Sequence, residues 1–239
     1  SLPRAFHSLA VSSVVPAAAI ESMEFVPSNF DARFGDATGG VILLHPAQLR
    51  REAVHGYGRL DLLGAGAMAS GPLKKGAYLV AAQRGWLDAV LGMVEQVDPT
   101  LNLLMPRYYD YQAFFEYPVG ARGTIAARAL GAGDRIQARI LDPDASELRA
   151  VTGLEVVSQF HRVDLSYRVR HGAWSFWLTP SFRFERSGSR FELTGDHAIR
   201  DDVVFSFRSE ASRPVSRSVS VLVGADVEAL AGEDVGVAN

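Results

Sequence analysis

Apolar and polar residues alternate with a period of two along most of the chain after Val54. The segment from Phe160 to Arg170 places apolar residues on one face and charged or polar residues on the other, which is typical of a β-strand with two different faces. The segment from Trp174 to Glu185 repeats this pattern. Because His171-Gly172-Ala173 between them is a turn sequence, the two segments are predicted to form a β-hairpin.

The same alternation recurs often enough to predict roughly nine strands. Further copies occur at Tyr57 to Leu63, Ala67 to Leu73, Ala77 to Arg84, Tyr109 to Tyr117, Thr124 to Leu130, Val203 to Glu210 and Val219 to Glu228. Each predicted strand is close to the 9 to 11 residues, roughly, that a tilted membrane-spanning strand needs.

The predicted connections between these strands alternate between short and long. Gly71 to Gly76, Val119 to Gly123 and Gly172-Ala173 are short, whereas Trp86 to Pro106 and Arg139 to Ser158 are much longer. Outer-membrane barrels have short turns at one rim and long loops outside the cell at the other, so this asymmetry favours such a barrel. The sequence leaves open whether Leu87 to Glu95 and Ala145 to Ala150 form short helices inside the long connections.

The segment from Ala18 to His45 has a different character. It holds two strand-like runs, Ile20 to Val26 and Gly40 to Leu44, around a turn-rich stretch. The second run is continuously apolar and predicts a strand that is buried on both faces, in a small mixed sheet separate from the later strands. Gly39-Gly40 indicates a position where the backbone passes close to another group.

The order of residues in this segment resembles the end of the plug domain of TonB-dependent outer-membrane receptors. There, an Ile-Glu strand leads through an Ala-x-(Tyr/Phe)-Gly turn into Gly-Gly-Val-Ile. The matching residues are Ile20, Glu21, Met23, Glu24 and Phe25, then Ala32, Phe34 and Gly35, then Gly39, Gly40, Val41 and Ile42. Many members carry Arg-Gly-Pro after the first strand, where this chain has Val26-Pro27-Ser28-Asn29. The sequence leaves open whether Arg33 takes the role of that arginine.

The resemblance implies an all-β fold, an antiparallel transmembrane β-barrel segment preceded by the C-terminal part of a small α+β plug domain. Residues 1–50 would belong to the plug and residues 51–239 to the N-terminal strands of the barrel. It also implies a location in the bacterial outer membrane and the plug-gated import of a scarce solute, such as an iron chelate, a vitamin, a glycan or a peptide. The partners would be membrane lipid and a TonB-type energy-coupling protein.

On the resemblance, we expect three features of a whole receptor to lie outside residues 1–239. We expect neither a secretory signal, nor the segment that contacts TonB, nor the aromatic C-terminal strand within residues 1–239. On the resemblance, the chain begins inside the plug, and Pro3 to Phe6 and Ser12 to Pro16 match plug segments upstream of the Ile-Glu strand.

Charged residues on the predicted barrel strands would face the lumen or the plug. These are Arg162, Asp164, Arg168, Arg183 and Glu185. The solvated face of an ordinary antiparallel sheet explains the same charges equally well. On the plug, Glu21 and Glu24 are expected to pair with barrel arginines, because carboxylates held inside a lumen need partners.

Composition narrows the alternatives. Hydrophobic residues make up 48% of the 239 residues, which is enough for a folded core. A net charge of −3 with scattered arginines argues against nucleic acid as a partner. There are no cysteines, which excludes disulfides and thiolate chemistry. No apolar run is long enough for a transmembrane helix, but barrel strands do not need one.

No constellation for catalysis or metal binding stands out. The six histidines are dispersed, with no pair at metal-ligand spacing, and a chance scatter explains them. Gly64-Ala65-Gly66 and Gly131-Ala132-Gly133 precede strand patterns rather than helices, so they are not phosphate loops. We therefore expect a protein that is not an enzyme and carries no cofactor and no metal.

Two other functions remain open from the sequence. The chain could be a structural or assembly component of an outer-membrane complex, with other envelope proteins as partners. It could instead be a soluble β-sandwich binding module, in which the apolar strand faces would pack on each other. The sandwich predicts solubility without detergent, whereas both membrane alternatives predict dependence on detergent.

Overall fold

The computed structural model describes residues 7, 13–15, 19–28, 39–47, 49–97, 104–141, 150–191 and 195–237. These residues form an all-β structure with one short helix. In chain order the elements are β1 (Ile20–Val26), β2 (Val41–Pro46), β3 (His55–Leu60), β4 (Gly64–Leu73), β5 (Gly76–Gly85), α1 (Leu87–Val97), β6 (Leu104–Val119), β7 (Gly123–Leu141), β8 (Ala150–His171), β9 (Trp174–Phe191), β10 (His197–Pro214) and β11 (Ser220–Val237).

Strands β3 to β11 form one large antiparallel sheet. Each strand pairs with its neighbours in the sequence, so the order is a simple up-and-down meander of nine strands. This confirms the predicted strand number and the hairpin between β8 and β9. At that turn Gly172 has φ of 60°, a left-handed conformation that glycine adopts without steric strain. Within the described residues β3 and β11 are the two edges, and no pairing between them closes the sheet.

The strands are longer than expected. Strands β6 to β11 contain from 16 to 22 residues, and much of the predicted Arg139–Ser158 loop is strand, because β7 ends at Leu141 and β8 begins at Ala150. The prediction placed strand ends where the apolar alternation stops. The backbone ladder continues further, where polar residues such as Arg135 and Glu155 face each other across the strands at 3.8 Å.

The two open questions about short helices have different outcomes. Leu87–Val97 is an α-helix, and Asp88 in its first turn suits the positive end of the helix dipole. Residues 145–149 lie outside the described residues, and Ala150 is the first residue of β8.

Register separates the side chains of the large sheet into two faces. The polar face includes Gln83, Asp110, Gln112, Arg128, Asp134, Arg162, Asp164, Ser166, Arg168, Ser181, Arg183, Glu185, Arg208 and Glu210. The apolar face includes Tyr109, Tyr111, Val163, Leu165, Tyr167, Trp174, Phe176, Leu178, Phe182, Phe184, Phe205, Phe207, Val223 and Val227. The division follows from the pleat, because neighbours in a strand point to opposite sides.

Burial on the two faces is inverted relative to a water-soluble protein. On the apolar face Leu165 is 50% exposed and Phe205 is 59% exposed. On the polar face Asp110 is 1% exposed and Ser166 is 7% exposed. Large contiguous apolar surfaces on a protein indicate contact with another apolar phase or partner.

The apolar surface is a band rather than a whole face. On β9 it extends from Trp174 to Phe184, which matches the roughly 9–11 residues of a tilted membrane-spanning strand. Beyond the band, Arg186 binds Asp201 through two hydrogen bonds of 2.7 and 2.6 Å on the same side of the sheet. The predicted length therefore describes the apolar band, and the strands continue past it with polar residues.

Aromatic rings mark one border of this band. A Cβ atom at Gly131 would lie 2.7 Å from the ring of Tyr111, so the glycine makes room for the ring to cross β7. The Tyr111 hydroxyl lies 2.9 Å from His161 Nδ1 on β8. The neighbouring Tyr108 lies on the polar face and is buried, because adjacent residues of a strand point to opposite faces.

The predicted difference in length between the connections at the two ends of the meander is confirmed only in part. One end, the short-turn rim, has the connections Lys74-Lys75, residues 120–122, Gly172-Ala173 and residues 215–219. The other end, the long-connection rim, has the two longest connections, residues 86–103 and 142–149, but residues 61–63 and 192–196 there are as short as those of the first end. The apolar band adjoins the short-turn rim, since Trp174 is the first residue after one of its turns.

Strands β1 and β2 pair antiparallel with each other and not with the large sheet. Their separation from the later strands is confirmed, but the predicted mixed sheet is wrong for the described residues, because the two strands form a purely antiparallel pair. The prediction that the second run is buried on both faces is wrong, because Ile42 is 59% exposed and His45 and Pro46 are also exposed. A strand is buried on both faces only when layers cover both sides, and a two-stranded sheet has no such layers of its own.

Candidate functional site

The described residues of the N-terminal segment, which are His7, residues 13–15 and Ala19, lie against the polar face of the large sheet. Val14 packs with Ala132 on β7 and Phe160 on β8, and all three are buried. Ala19 packs with Leu79 and Ala81 on β5 in a second buried cluster, which Ala47, Leu49, Met68 and Phe114 border. Small apolar patches inside the polar face thus provide the hydrophobic contact that holds this segment.

Two glutamines bind the backbone of the segment. Gln112 Nε2 donates to the carbonyl of Val14 at 3.2 Å, and Gln83 Nε2 donates to the carbonyl of Ser13 at 3.2 Å. The Ser13 hydroxyl accepts from the amide of Val15 at 3.2 Å, which shapes the local turn. Because side-chain amides bind main-chain carbonyls here, the fit depends on backbone position rather than on side-chain identity.

His7 lies between two carboxylates of the polar face. Its Nδ1 atom is 2.8 Å from Asp134 Oδ1 on β7, and its Nε2 atom is 3.0 Å from Asp110 Oδ2 on β6. His7 is 2% exposed, and its ring lies 4.7 Å from that of Tyr108, measured between centroids. We call His7, Gln83, Asp110, Gln112 and Asp134 the docking cluster.

The contacts of His7 favour the charged form of its ring. A neutral imidazole has one donor and one acceptor nitrogen, whereas ionised carboxylates only accept. Both nitrogens of His7 face carboxylate oxygens, so the arrangement is satisfied when the ring is protonated and donates on both sides. Asp110 Oδ2 also accepts from Gln83 Nε2 at 2.6 Å, which adds a donor to the buried carboxylate.

The pKa of His7 is raised from 6.5 by these neighbours. Burial alone lowers the pKa, but the hydrogen bonds to Asp110 and Asp134 and the attraction of their charges outweigh it. The cluster therefore holds a charged imidazolium next to two carboxylates. We call this contact an ion-pair lock, because His7 joins the N-terminal segment to carboxylates on two strands of the large sheet.

The sequence-predicted charges of the barrel strands all lie on the polar face. Arg162 Nε is 2.8 Å from Asp164 Oδ1, and Arg183 Nε is 2.6 Å from Glu185 Oε1. Arg168 lies with its guanidinium carbon 5.0 Å from the centre of the Trp177 ring. The prediction that these five residues share one face is confirmed. That this face lines a lumen stays a prediction.

The plug-motif residues are separate from the docking cluster. Ile20, Glu21 and Glu24 lie on β1, and Gly39 and Gly40 precede β2. Arg33, Phe34 and Gly35 lie outside the described residues. Glu24 was expected to pair with a barrel arginine, but its carboxylate lies 3.6 Å from His45 on the adjacent strand. Both of these side chains are largely exposed, so the contact is weak.

The two motif glycines differ in their surroundings. Neither has a left-handed φ. A Cβ atom at Gly39 would meet nothing within 4 Å, whereas one at Gly40 would lie 2.8 Å from the ring of Phe25. The expected close approach therefore exists at Gly40 only. Since Phe25 is 64% exposed and its ring can move, a side chain at Gly40 would displace the ring of Phe25.

Sequence reasoning missed His7. It was counted with the other histidines as a chance scatter, because its partners are 103 and 127 residues away along the chain. The signal for this contact lay on β6, where Asp110 and Gln112 are polar residues within a segment rich in aromatic residues. Polar residues in the middle of a strand need hydrogen-bonding partners.

Other kinds of site are absent from the described residues. No group of three or more His, Asp or Glu side chains there is arranged to hold a metal ion. No helix in the described ranges is long and apolar enough to cross a membrane. No protein-family model, curated protein or solved structure matches this chain.

Replacing His7 with Ala should weaken the docking of the N-terminal segment, because Asp110 and Asp134 would be left buried without their cation. Removal of one partner of a buried ion pair costs about 3–5 kcal/mol. A single cysteine at Ser13, in a chain that has no other cysteine, should then react with a thiol reagent roughly a hundredfold faster. The exposed His171→Ala change is the control and should leave the rate unchanged. Equal rates for both histidine variants would contradict the role of His7.

Docking should also weaken as the pH rises from about 6 to 9. The folded pKa of His7 is above the unfolded value of 6.5, so its contribution is complete below about pH 6.5 and is lost as the pH passes the folded pKa. The reaction rate of the Ser13 cysteine, corrected for thiolate formation with a model thiol, should increase over this range in the native background. With His7→Ala the corrected rate should be flat. A flat profile in the native background would show that His7 is not charged.

Proposed function

We propose that this chain is part of a plug-gated outer-membrane transporter of the TonB-dependent kind. The observation that carries the proposal is the inverted burial of the large sheet, with an exposed apolar band on one face and a buried polar face on the other. Lipid is the environment in which that band is favourable. The polar face is then the inner surface of a barrel wall, and the segment docked on it is the plug.

The arrangement of connections supports an orientation in the membrane. The short-turn rim faces the periplasm and the long-connection rim faces the exterior, as in bacterial barrels. The ion pair between Arg186 and Asp201 then lies beyond the hydrocarbon on the outer side, where charges are solvated. Strand β3 begins at the short-turn rim, so the chain passes from the plug into the wall from the periplasmic side.

The unpaired edge strands of the large sheet support the proposal that further strands extend it. Strand β11 is exposed along the described part of its length, and an unpaired edge of this length recruits further strands. A transporter barrel of about 22 strands would supply them and would also cover β1 and β2. The solute is a scarce small molecule, and the energy comes from an inner-membrane partner. No catalytic step is proposed.

A soluble sandwich and a purely structural barrel explain the exposed apolar band and the docking cluster less well. A soluble sandwich would cover Leu165 and Phe205 with a second sheet, whereas both are at least half exposed. A purely structural barrel would need no ion-pair lock between a wall and an internal segment. The docking cluster is therefore the feature that favours a gated transporter.

Lipid contact is tested by two adjacent residues of β10. Phe205→Arg places a charge on the apolar band, which costs about 2–4 kcal/mol near the bilayer midplane. Ser206→Arg places the same charge on the polar face, opposite Glu228. In refolding into lipid vesicles we expect Phe205→Arg to insert poorly and Ser206→Arg to insert normally. Normal insertion of both variants would contradict a lipid-facing band.

Orientation is tested in the cells that produce the protein. An epitope inserted within residues 142–149 should be accessible to antibody on intact cells. The same epitope between Gly172 and Ala173 should become accessible only after the outer membrane is permeabilised. Labelling of both sites on intact cells, or recovery of the protein in the soluble fraction, would contradict the proposed location.

A further inference from the structure

A second feature of the polar face lies near the short-turn rim, away from the docking cluster. Strands β6, β7 and β8 enclose a cavity of about 100 Å³ there. Its lining consists of Glu116, Thr124, Ala126, Arg128, Ser166 and Arg168. The two arginines come from adjacent strands, and Ser166 and Thr124 add hydroxyl groups. A cavity of this size suits a small polar group rather than a large molecule.

The charges around this cavity do not balance. The Glu116 carboxylate is in contact with Arg51. The Asp164 carboxylate, which is opposite Arg128 in the register, is held by Arg162 at 2.8 Å. Both nearby carboxylates therefore already have a cation. Arg128 and Arg168 remain as two surplus positive charges.

Neither of these guanidinium groups has a hydrogen-bond or ion-pair partner among the described residues. Arg128 is partly buried between β6 and β8. Arg168 stacks over the Trp177 ring at 5.0 Å, which orients its guanidinium plane and leaves its N–H donors available. Arg168 is exposed, whereas Arg128 is partly buried without a partner in the described part of the chain that offsets its lost hydration. An anion that supplies oxygen acceptors to both guanidinium groups therefore stabilises the site.

We propose that Arg128 and Arg168 form a binding site for an oxyanion, a carboxylate or sulfate-like group. Guanidinium groups bind such planar or tetrahedral oxyanions with paired N–H donors, and the Ser166 and Thr124 hydroxyls are placed to assist. The oxyanion is carried by a small solute in contact with the polar face. A carboxylate of the chain itself, such as Glu21 or Glu24, has the same chemistry and is distinguished by the experiment. The site does not depend on transport or on the membrane location.

The experiment measures sulfate and succinate binding by the whole 239-residue chain at constant ionic strength, using equilibrium dialysis with labelled anion. The chain is folded in detergent, or in buffer if it proves soluble, so failure of the membrane proposal would not prevent the measurement. We expect one saturable site in the native chain. Arg128→Gln and Arg168→Gln should each raise the Kd at least about tenfold, the effect of one lost charged hydrogen bond.

Two controls separate binding from folding. Arg217→Gln removes an exposed arginine from a turn of the same rim and should not change the Kd. Arg168→Lys should keep part of the affinity, because one charge remains without the paired donors. Binding that appears only after Glu21→Gln and Glu24→Gln are combined would support the oxyanion site and assign its occupant to the chain. Equal binding by the native chain and Arg128→Gln, or no binding in any form, would overturn the proposal.

Discussion

Opposite orientation of successive side chains in a β-strand is the constraint on which this structure depends. Because the period is two, a strand with strict alternation presents two chemically different surfaces. Here the polar surface contains the buried carboxylates of Asp110 and Asp134, and the surface with Leu165, Phe182 and Phe205 is exposed. Every other feature follows from this inversion, since buried charges need partners and exposed apolar side chains need an apolar environment.

The buried polar face satisfies its charges in three ways. Pairs two residues apart on one strand, such as Arg162–Asp164 and Arg208–Glu210, neutralise each other locally. In the docking cluster a cation from another part of the chain, His7, neutralises carboxylates of the large sheet. Arg128 and Arg168 then stand out, because the nearby acids already have cations. Buried ion pairs add little net stability compared with apolar packing, but they strongly penalise the wrong partner. They therefore suit a contact that must be specific and releasable.

Period-two patterning predicted most of the fold. The hairpin at Gly172, the nine-strand meander, and the common face of Arg162, Arg183 and Glu185 all follow from which residues are neighbours in a strand. Strand ends were predicted poorly, because backbone pairing continues past the last apolar residue of the band. The burial of Ile42 was also mispredicted, since the covering of a strand depends on elements elsewhere in the chain. His7 was missed for the same reason, because the contact with Asp110 is defined by the tertiary fold.

We propose that the apolar face contacts lipid while the polar face is enclosed by protein. Single cysteines at residues 203–208 of β10, in a chain without native cysteines, allow spin labels to be placed on both faces after reconstitution into vesicles. We expect collision with oxygen, which concentrates in lipid, to be high at 203, 205 and 207 and low at 204, 206 and 208. Uniform accessibility along the strand, or high collision with a water-soluble reagent at 205 and 207, would contradict the account.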